Sequence, residues 1–211
     1  MGHKAGIETI RRVAEAADRR GVRVLTLYAF STENWSRPPD EVDALMNLFS
    51  ETIRREVDEL ARRGIELRFS GRLHDLSTAL QDQIRQANER TRVSARAILN
   101  IAINYGGRQE IVDAIRELAR DGADLTQLDE ASVADHLYTR GLPDPDLVIR
   151  TAGEMRLSNF LLWQAAYSEF YCTQTLWPDF AQADFDEALA SYQRRIRRFG
   201  ARPEEVSNRG R

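Results

Sequence analysis

Apolar positions recur at helical spacing from the start of the chain: Ile7, Ile10, Val13, Ala14 and Ala17 share one face of a helix expected over 6–20. Gly21 ends it. Val22, Val24, Leu25, Leu27, Tyr28, Ala29 and Phe30 then form a nearly continuous apolar run, the pattern of a strand buried on both faces. The polar stretch Ser31 to Pro39 stops that strand. Asp40 is placed to cap a long helix to about residue 63, with Val42, Leu45, Met46, Phe49, Ile53, Val57 and Leu60 in one stripe. At 1.5 Å per residue such a helix spans roughly 36 Å, enough to cross a small domain.

The same alternation continues. Strands are expected at 65–70, 97–104, 146–151 and 171–176, and helices at 76–94, 107–120, 129–139, 157–167 and 185–199. Strands separated by helices imply an α/β fold: a mainly parallel central sheet flanked by helices. With no internal repeat or linker, residues 1–211 read as a single domain. In such sheets ligands sit beyond the C-terminal ends of the strands.

Composition narrows the function. Thirty basic against 33 acidic residues leave a net charge of −3, which argues against a nucleic-acid partner. Lys4 is the only lysine, so a Gly-Lys-Ser/Thr phosphate loop is absent and a Schiff-base lysine could only be Lys4. GxSxG, GxGxxG, CxxC and HExxH are absent too, which removes the common hydrolase, dinucleotide, thiol-redox and zinc-protease motifs. A lone Cys172, no membrane-length apolar run and no signal-like start make a reducing cytoplasm the expected location.

Four polar clusters follow expected strands: Ser31 to Arg37, Asn104 to Arg108, Arg150 to Asn159, and Ser168-Glu169. Arg150 and Arg156 flank a Gly-containing turn before the expected helix at 157–167, with Ser158 in its first turn. Two guanidinium forks, a hydroxyl and free backbone N–H groups describe a phosphate or diphosphate site. The alternative for either arginine alone is a surface salt bridge to Asp144, Asp146 or Glu154. Glu169 is either a structural cap or, beside a diphosphate, a ligand for Mg²⁺.

These clusters resemble the cis-prenyltransferases, the family of undecaprenyl diphosphate synthase. The matching segments run in family order: Gly2-His3-Lys4-Ala5-Gly6, LYAFSTENWSR at 27–37, NYGGR at 104–108, Arg150 with Glu154, RLSNFLLWQ at 156–164, Tyr167 to Glu169, LWPDF at 176–180 and Arg198-Phe199-Gly200. The resemblance implies an isoprenyl transferase that joins isopentenyl diphosphate to an allylic diphosphate, commonly farnesyl diphosphate, with Mg²⁺. Arg150, Arg156, Leu157 and Ser158 would bind isopentenyl diphosphate, His3 would sit by the allylic diphosphate, and Glu169 would ligate Mg²⁺. Ser31, Thr32, Glu33, Trp35 and Arg37 would shape the reacting centre, and Asn34 matches the position assigned as proton acceptor. An amide is a weak base, so Asn34 is expected to position the proton's path while a diphosphate oxygen takes the proton.

A hydrocarbon product needs an apolar tunnel, for which Leu45, Met46, Phe49, Ile53 and the 97–103 strand are candidates; plain core packing would give the same stripe. Ala29 and Ala97 suit a medium or long product. The family normally begins with a strand and an Asp-Gly-Asn-Gly-Arg-Trp loop, and this sequence starts at Met1-Gly2-His3 without them. A late start codon is the expected reason. The rival is a non-catalytic or truncated subunit of the same fold that needs an active partner. A homodimer is implied by the family, and a long polyprenyl product implies peripheral membrane contact for release. An arginine-tail nucleic-acid binder using Arg194, Arg195, Arg197, Arg198 and Arg202 is disfavoured by the acidic balance.

Overall fold

A computed structural model describes residues 2–93 and 95–195, with side chains described from residue 5 onward. The long-period segments fold as their patterns dictate. Helix α1 (Gly2–Arg19) leads into β1 (Val24–Ser31), and α2 (Pro39–Arg62) buries Val42, Leu45 and Ile53 from its stripe. Pro38 and Pro39 open α2, with Asp40 inside its first turn rather than at the cap; a proline at the first helical position sacrifices no hydrogen bond. Then come β2 (Ile65–Ser70), α3 (Thr78–Thr91), β3 (Ala97–Tyr105), α4 (Gly107–Arg120), α5 (Glu130–Ala134), β4 (Leu147–Arg150), β5 (Glu169–Cys172) and α6 (Gln182–Gln193). The helix expected over 129–139 is only five residues long, and the last four residues of the one expected over 185–199 lie outside the described residues.

All strand pairs are parallel, but they form two sheets rather than one. The first has the order β1-β3-β2; the second pairs β4 with β5. Tyr105, Ile103 and Ala102 of β3 are fully buried because that strand is paired on both sides. Leu27, Phe30, Leu67, Leu99 and Ile101 pack with Leu45, Ile53, Leu80 and Ile84 of α2 and α3 into the main core. Residues of β1 and of β4 line one largely apolar cavity of about 460 Å³, which therefore lies between the two sheets.

On the other face, α1 packs with α6 through Val13, Ala16, Ala17, Phe180 and Phe185. The LWPDF segment holds it there: Trp177 Nε1 donates to the Gly6 carbonyl at 3.1 Å, and buried Thr9 donates to the Pro178 carbonyl at 2.9 Å. Gly6, Ile7 and Ile10 are thereby fixed along the cavity wall. Among the described residues no helix is long and apolar enough to cross a membrane.

Candidate active site

The C-terminal ends of β1, β3 and β4 carry the polar clusters, as the fold rule requires. After β1 the chain turns into a one-turn 3₁₀ helix, Thr32–Ser36, closed by Asn34: its Oδ1 accepts from the Ser31 N–H at 2.9 Å. Ser31, Glu33, Asn34 and Arg37 line an open cleft together with Arg150, Ser158 and Asn159. That cleft meets the apolar cavity at Tyr28, Ala29 and Arg150, which border both. Tyr28 stacks on Phe160 with ring centres 4.5 Å apart, and burial followed by the nearby Glu33 charge pushes its phenol up to about 12. It is therefore a neutral donor at any working pH.

Glu154 accepts from both Arg150 and Arg156, so one carboxylate bridges the two guanidinium groups. The hydrogen bond from Arg150, with the Arg156 charge beside it, holds Glu154 below the usual carboxylate range. The two arginines thus converge, and Glu154, one of the expected salt-bridge partners, lies between them.

No helix begins at Leu157. Ser158, Asn159 and Leu161 adopt left-handed backbone, at φ of 48°, 64° and 46°, and only Gln164–Tyr167 winds into a 3₁₀ turn. Non-glycine residues in that region cost about 1–3 kcal/mol each and persist only where the surroundings hold them. Leu161, Phe160 and Ala165 instead pack against Ala102 and Tyr105, Trp163 packs against the α4 side, and buried Gln164 donates to Thr139 at 2.7 Å and to Glu110 at 3.0 Å. Glu110 is fully buried and also accepts from Tyr105 and the Tyr138 N–H; burial pushes its carboxyl up. The expected anion-binding residues Arg150, Arg156 and Ser158 therefore have no helix N-terminus beside them.

The NYGGR segment joins the two halves of the cleft. Asn104, left-handed at φ 48°, accepts from Trp35 Nε1 at 2.7 Å and donates to the Arg72 carbonyl at 2.8 Å. Trp35 packs edge-on to Phe30 and remains 43% exposed. A Cβ on Gly106 would lie 2.7 Å from Thr32 Oγ1 and 2.8 Å from Asn159 Nδ2, so only glycine lets the two clusters approach. Asn159 in turn accepts from the N–H groups of Gly107 and Arg108, and donates to Glu33 at 2.9 Å. Partial burial opposes ionisation of Glu33, but this bond and its local ones outweigh it, keeping the carboxyl below its usual range. Sequence reasoning gave roles to none of Tyr28, Asn104, Gly106 or Asn159; the left-handed-tolerant Asn residues were the available signal.

Glu169 opens β5 two residues before the expected strand, in register with Leu147, whereas Arg150 pairs with Cys172. Three residues at about 3.3 Å each put it roughly 10 Å along the sheet from Arg150. It accepts from Arg195 Nη1 at 2.6 Å. Among the described residues no three His, Cys, Asp or Glu side chains gather; Mg²⁺ commonly takes only one or two carboxylates, with substrate phosphates and water completing its shell. The side chain of His3 and the Arg198-Phe199-Gly200 segment lie outside what is described.

Comparison with known proteins agrees with this geometry. Residues 1–200 match the prenyltransferase family model, that of undecaprenyl diphosphate synthase. The chain is 49% identical over 209 residues to an isoprenyl transferase of Streptococcus agalactiae serotype III, covering 95% of this chain and 84% of that one. It is 46% identical over 203 residues to a (2E,6E)-farnesyl-diphosphate-specific ditrans,polycis-undecaprenyl-diphosphate synthase of Legionella pneumophila strain Paris, covering 94% and 85%. A crystal structure of lavandulyl diphosphate synthase from Lavandula x intermedia with dimethylallyl diphosphate superposes with a TM-score of 0.88 at 38% identity, covering 94% and 87%. An α/β chain with paired arginines and an apolar cavity at its strand ends, matched along nearly its whole length, belongs to the undecaprenyl diphosphate synthase family and is a transferase of prenyl groups.

Proposed function

We propose that the chain condenses isopentenyl diphosphate with an allylic diphosphate, farnesyl diphosphate being the expected primer, to build a cis-polyprenyl diphosphate. One observation carries this: a polar cleft holding Arg37, Arg150 and Ser158 opens directly into a largely apolar cavity, sharing Tyr28, Ala29 and Arg150 with it. A prenyl diphosphate has the same two-part chemistry. Isopentenyl diphosphate displaces Glu154 and takes the forks of Arg150 and Arg156, with the Ser158 hydroxyl beside it. Each charge-assisted bond contributes about 1.5–3 kcal/mol.

The allylic chain lies in the cavity against Leu27, Leu45, Leu48 and Phe49. Of the expected tunnel residues, Leu45 and Phe49 border this space, while Ile53 and the β3 side chains Leu99 and Ile101 belong to the packed core. The allylic C–O bond breaks, its electron pair leaving with the diphosphate, and the isopentenyl double bond supplies the new C–C bond. A proton then leaves the joined carbon skeleton. Asn34 spends an acceptor lone pair on the Ser31 N–H. Its NH₂ is a donor, suited to holding the diphosphate oxygen that takes the proton. When bound beside the diphosphates, Mg²⁺ would stabilise the charge that develops on the leaving group, and Glu169 would be its carboxylate ligand.

The test is incorporation of labelled isopentenyl diphosphate onto farnesyl diphosphate, with product length read by mass spectrometry. Extension to products of several added isoprene units is expected. A folded chain that extends no allylic primer refutes the proposal, and restored activity on mixing with a homologous subunit would favour the silent-partner reading.

A further inference from the structure

Asn159 ties the reacting loop, the anion-binding segment and the NYGGR turn together. Its backbone carbonyl accepts from the Gly107 N–H at 2.7 Å, its Oδ1 accepts from the Arg108 N–H at 2.9 Å, and its Nδ2 donates to Glu33 Oε1 at 2.9 Å. The neighbouring residue in the chain is Ser158, and the residue after Glu33 is Asn34. Left-handed backbone at both 158 and 159 is therefore held from three sides. Because Glu33 and Asn159 are 126 residues apart in sequence, their bond is a tertiary choice and not a turn motif.

On the reading of the function given above, we propose that Asn159 is a positioning residue that sets the distance between the proton-transfer loop at Asn34 and the isopentenyl diphosphate held at Arg150 and Ser158. Its amide orientation is fixed from one side. The Arg108 N–H occupies its side-chain acceptor, Oδ1, so its NH₂ is what faces Glu33, which as a carboxylate can only accept. The pair thus has one satisfied arrangement, and reversing one member breaks it. Asn159→Asp keeps the acceptor for Arg108 but sets two carboxylates against each other. Adding Glu33→Gln supplies a donor and rebuilds the bond with the roles exchanged.

Displacements on the order of 1 Å between reacting groups cost about 100-fold in rate. Asn159→Asp is therefore expected to lower kcat by about 10- to 100-fold while leaving the Kd for inorganic diphosphate within about twofold, because Arg150 and Arg156 are untouched. The Asn159→Asp/Glu33→Gln double variant is expected to regain at least about tenfold in kcat over Asn159→Asp, a non-additivity that a double-mutant cycle reads directly. An Asn159→Asp enzyme of full rate overturns the inference, as does a double variant no better than the single. Loss of diphosphate affinity in step with kcat also overturns it, since the residue would then be building the anion site.

A wild-type chain without transferase activity would refute the function, not this contact, which can be read separately by carboxyl NMR titration of Glu33. Its other neighbours are the hydroxyls of Ser31 and Thr32 and the Tyr28 phenol. Asn159→Asp is expected to raise the Glu33 midpoint by about one unit, a tenfold change in its proton affinity. An unchanged midpoint means that the contact does not exist.

Discussion

Gly106→Ala separates site geometry from fold stability. The added methyl would fall 2.7 Å from Thr32 Oγ1 and 2.8 Å from Asn159 Nδ2, where ordinary contact begins at 3.4 Å. The shortfall is about 0.6–0.7 Å on each side, and both obstacles are side-chain atoms, not backbone. Gly106 itself has extended backbone, φ −156°, which alanine adopts without strain. The fold should therefore survive, with a Tm within a few degrees of wild type. What yields is the spacing of the reacting loop from the 156–162 segment. A displacement of more than half an ångström at a site where 1 Å costs about 100-fold predicts a loss of roughly 10- to 50-fold in kcat. Steady-state isopentenyl diphosphate incorporation, paired with differential scanning calorimetry, makes the measurement. Full activity at unchanged Tm would refute the reasoning, because the two clusters would then be shown to tolerate separation.

Gly71→Ala should behave oppositely: at φ +138° its Cβ would lie 1.9 Å from the Ile103 carbonyl oxygen in the paired β3 strand, so the variant should lose several kcal/mol (about 3 or more) and fail to accumulate as folded protein. Arg150→Ala, removing one guanidinium fork, should weaken inorganic diphosphate binding by about 10- to 150-fold by calorimetric titration, from the ~1.5–3 kcal/mol of a charge-assisted bond. Asp113 accepts from Arg72 at 2.7 Å and from Tyr138, and the Arg72 hydrogen bond, against partial burial, holds its carboxyl well below the usual range. A depressed folded pKa gives stability that is complete above the ordinary carboxylate value near ~4 and is lost as pH falls toward the folded value. Urea unfolding should accordingly show Asp113→Asn destabilised at pH 7 and less sensitive than wild type to acidification below pH ~4.

The parts of the fold that rest on long periodicity were legible in the sequence. The α2 stripe from Val42 to Leu60, bounded by Pro39 and Gly64, placed that helix within a residue at either end. The apolar runs of β1 and β3 marked the buried sheet because strands covered on both faces leave few polar positions, while β2 was marked by apolar–polar alternation. The stretch from Leu157 to Tyr167 misled for a physical reason: it is rich in apolar residues without helical periodicity, and such a run does not distinguish a helix from a series of turns that packs Leu161 and Phe160 on Tyr105 and Trp163 elsewhere. Parallel register is invisible in one sequence: it sets Glu169 opposite Leu147 and Arg150 opposite Cys172, at the two ends of the β4–β5 pair. The arginine pair was legible from spacing, but not that Glu154 would bridge it, nor that Asn159 would reach Glu33. Those are tertiary choices between groups that each had several possible partners.

A crystal structure of the chain with isopentenyl diphosphate bound tests the central claim most directly. The account predicts diphosphate oxygens within hydrogen-bond distance of the Arg150 and Arg156 guanidinium groups and of the Ser158 hydroxyl. It also predicts Glu154 turned out of the bridge it forms in the free protein, and the isopentenyl group directed toward Tyr28 and Ala29. A diphosphate seated elsewhere, with Glu154 still spanning both arginines, would contradict it.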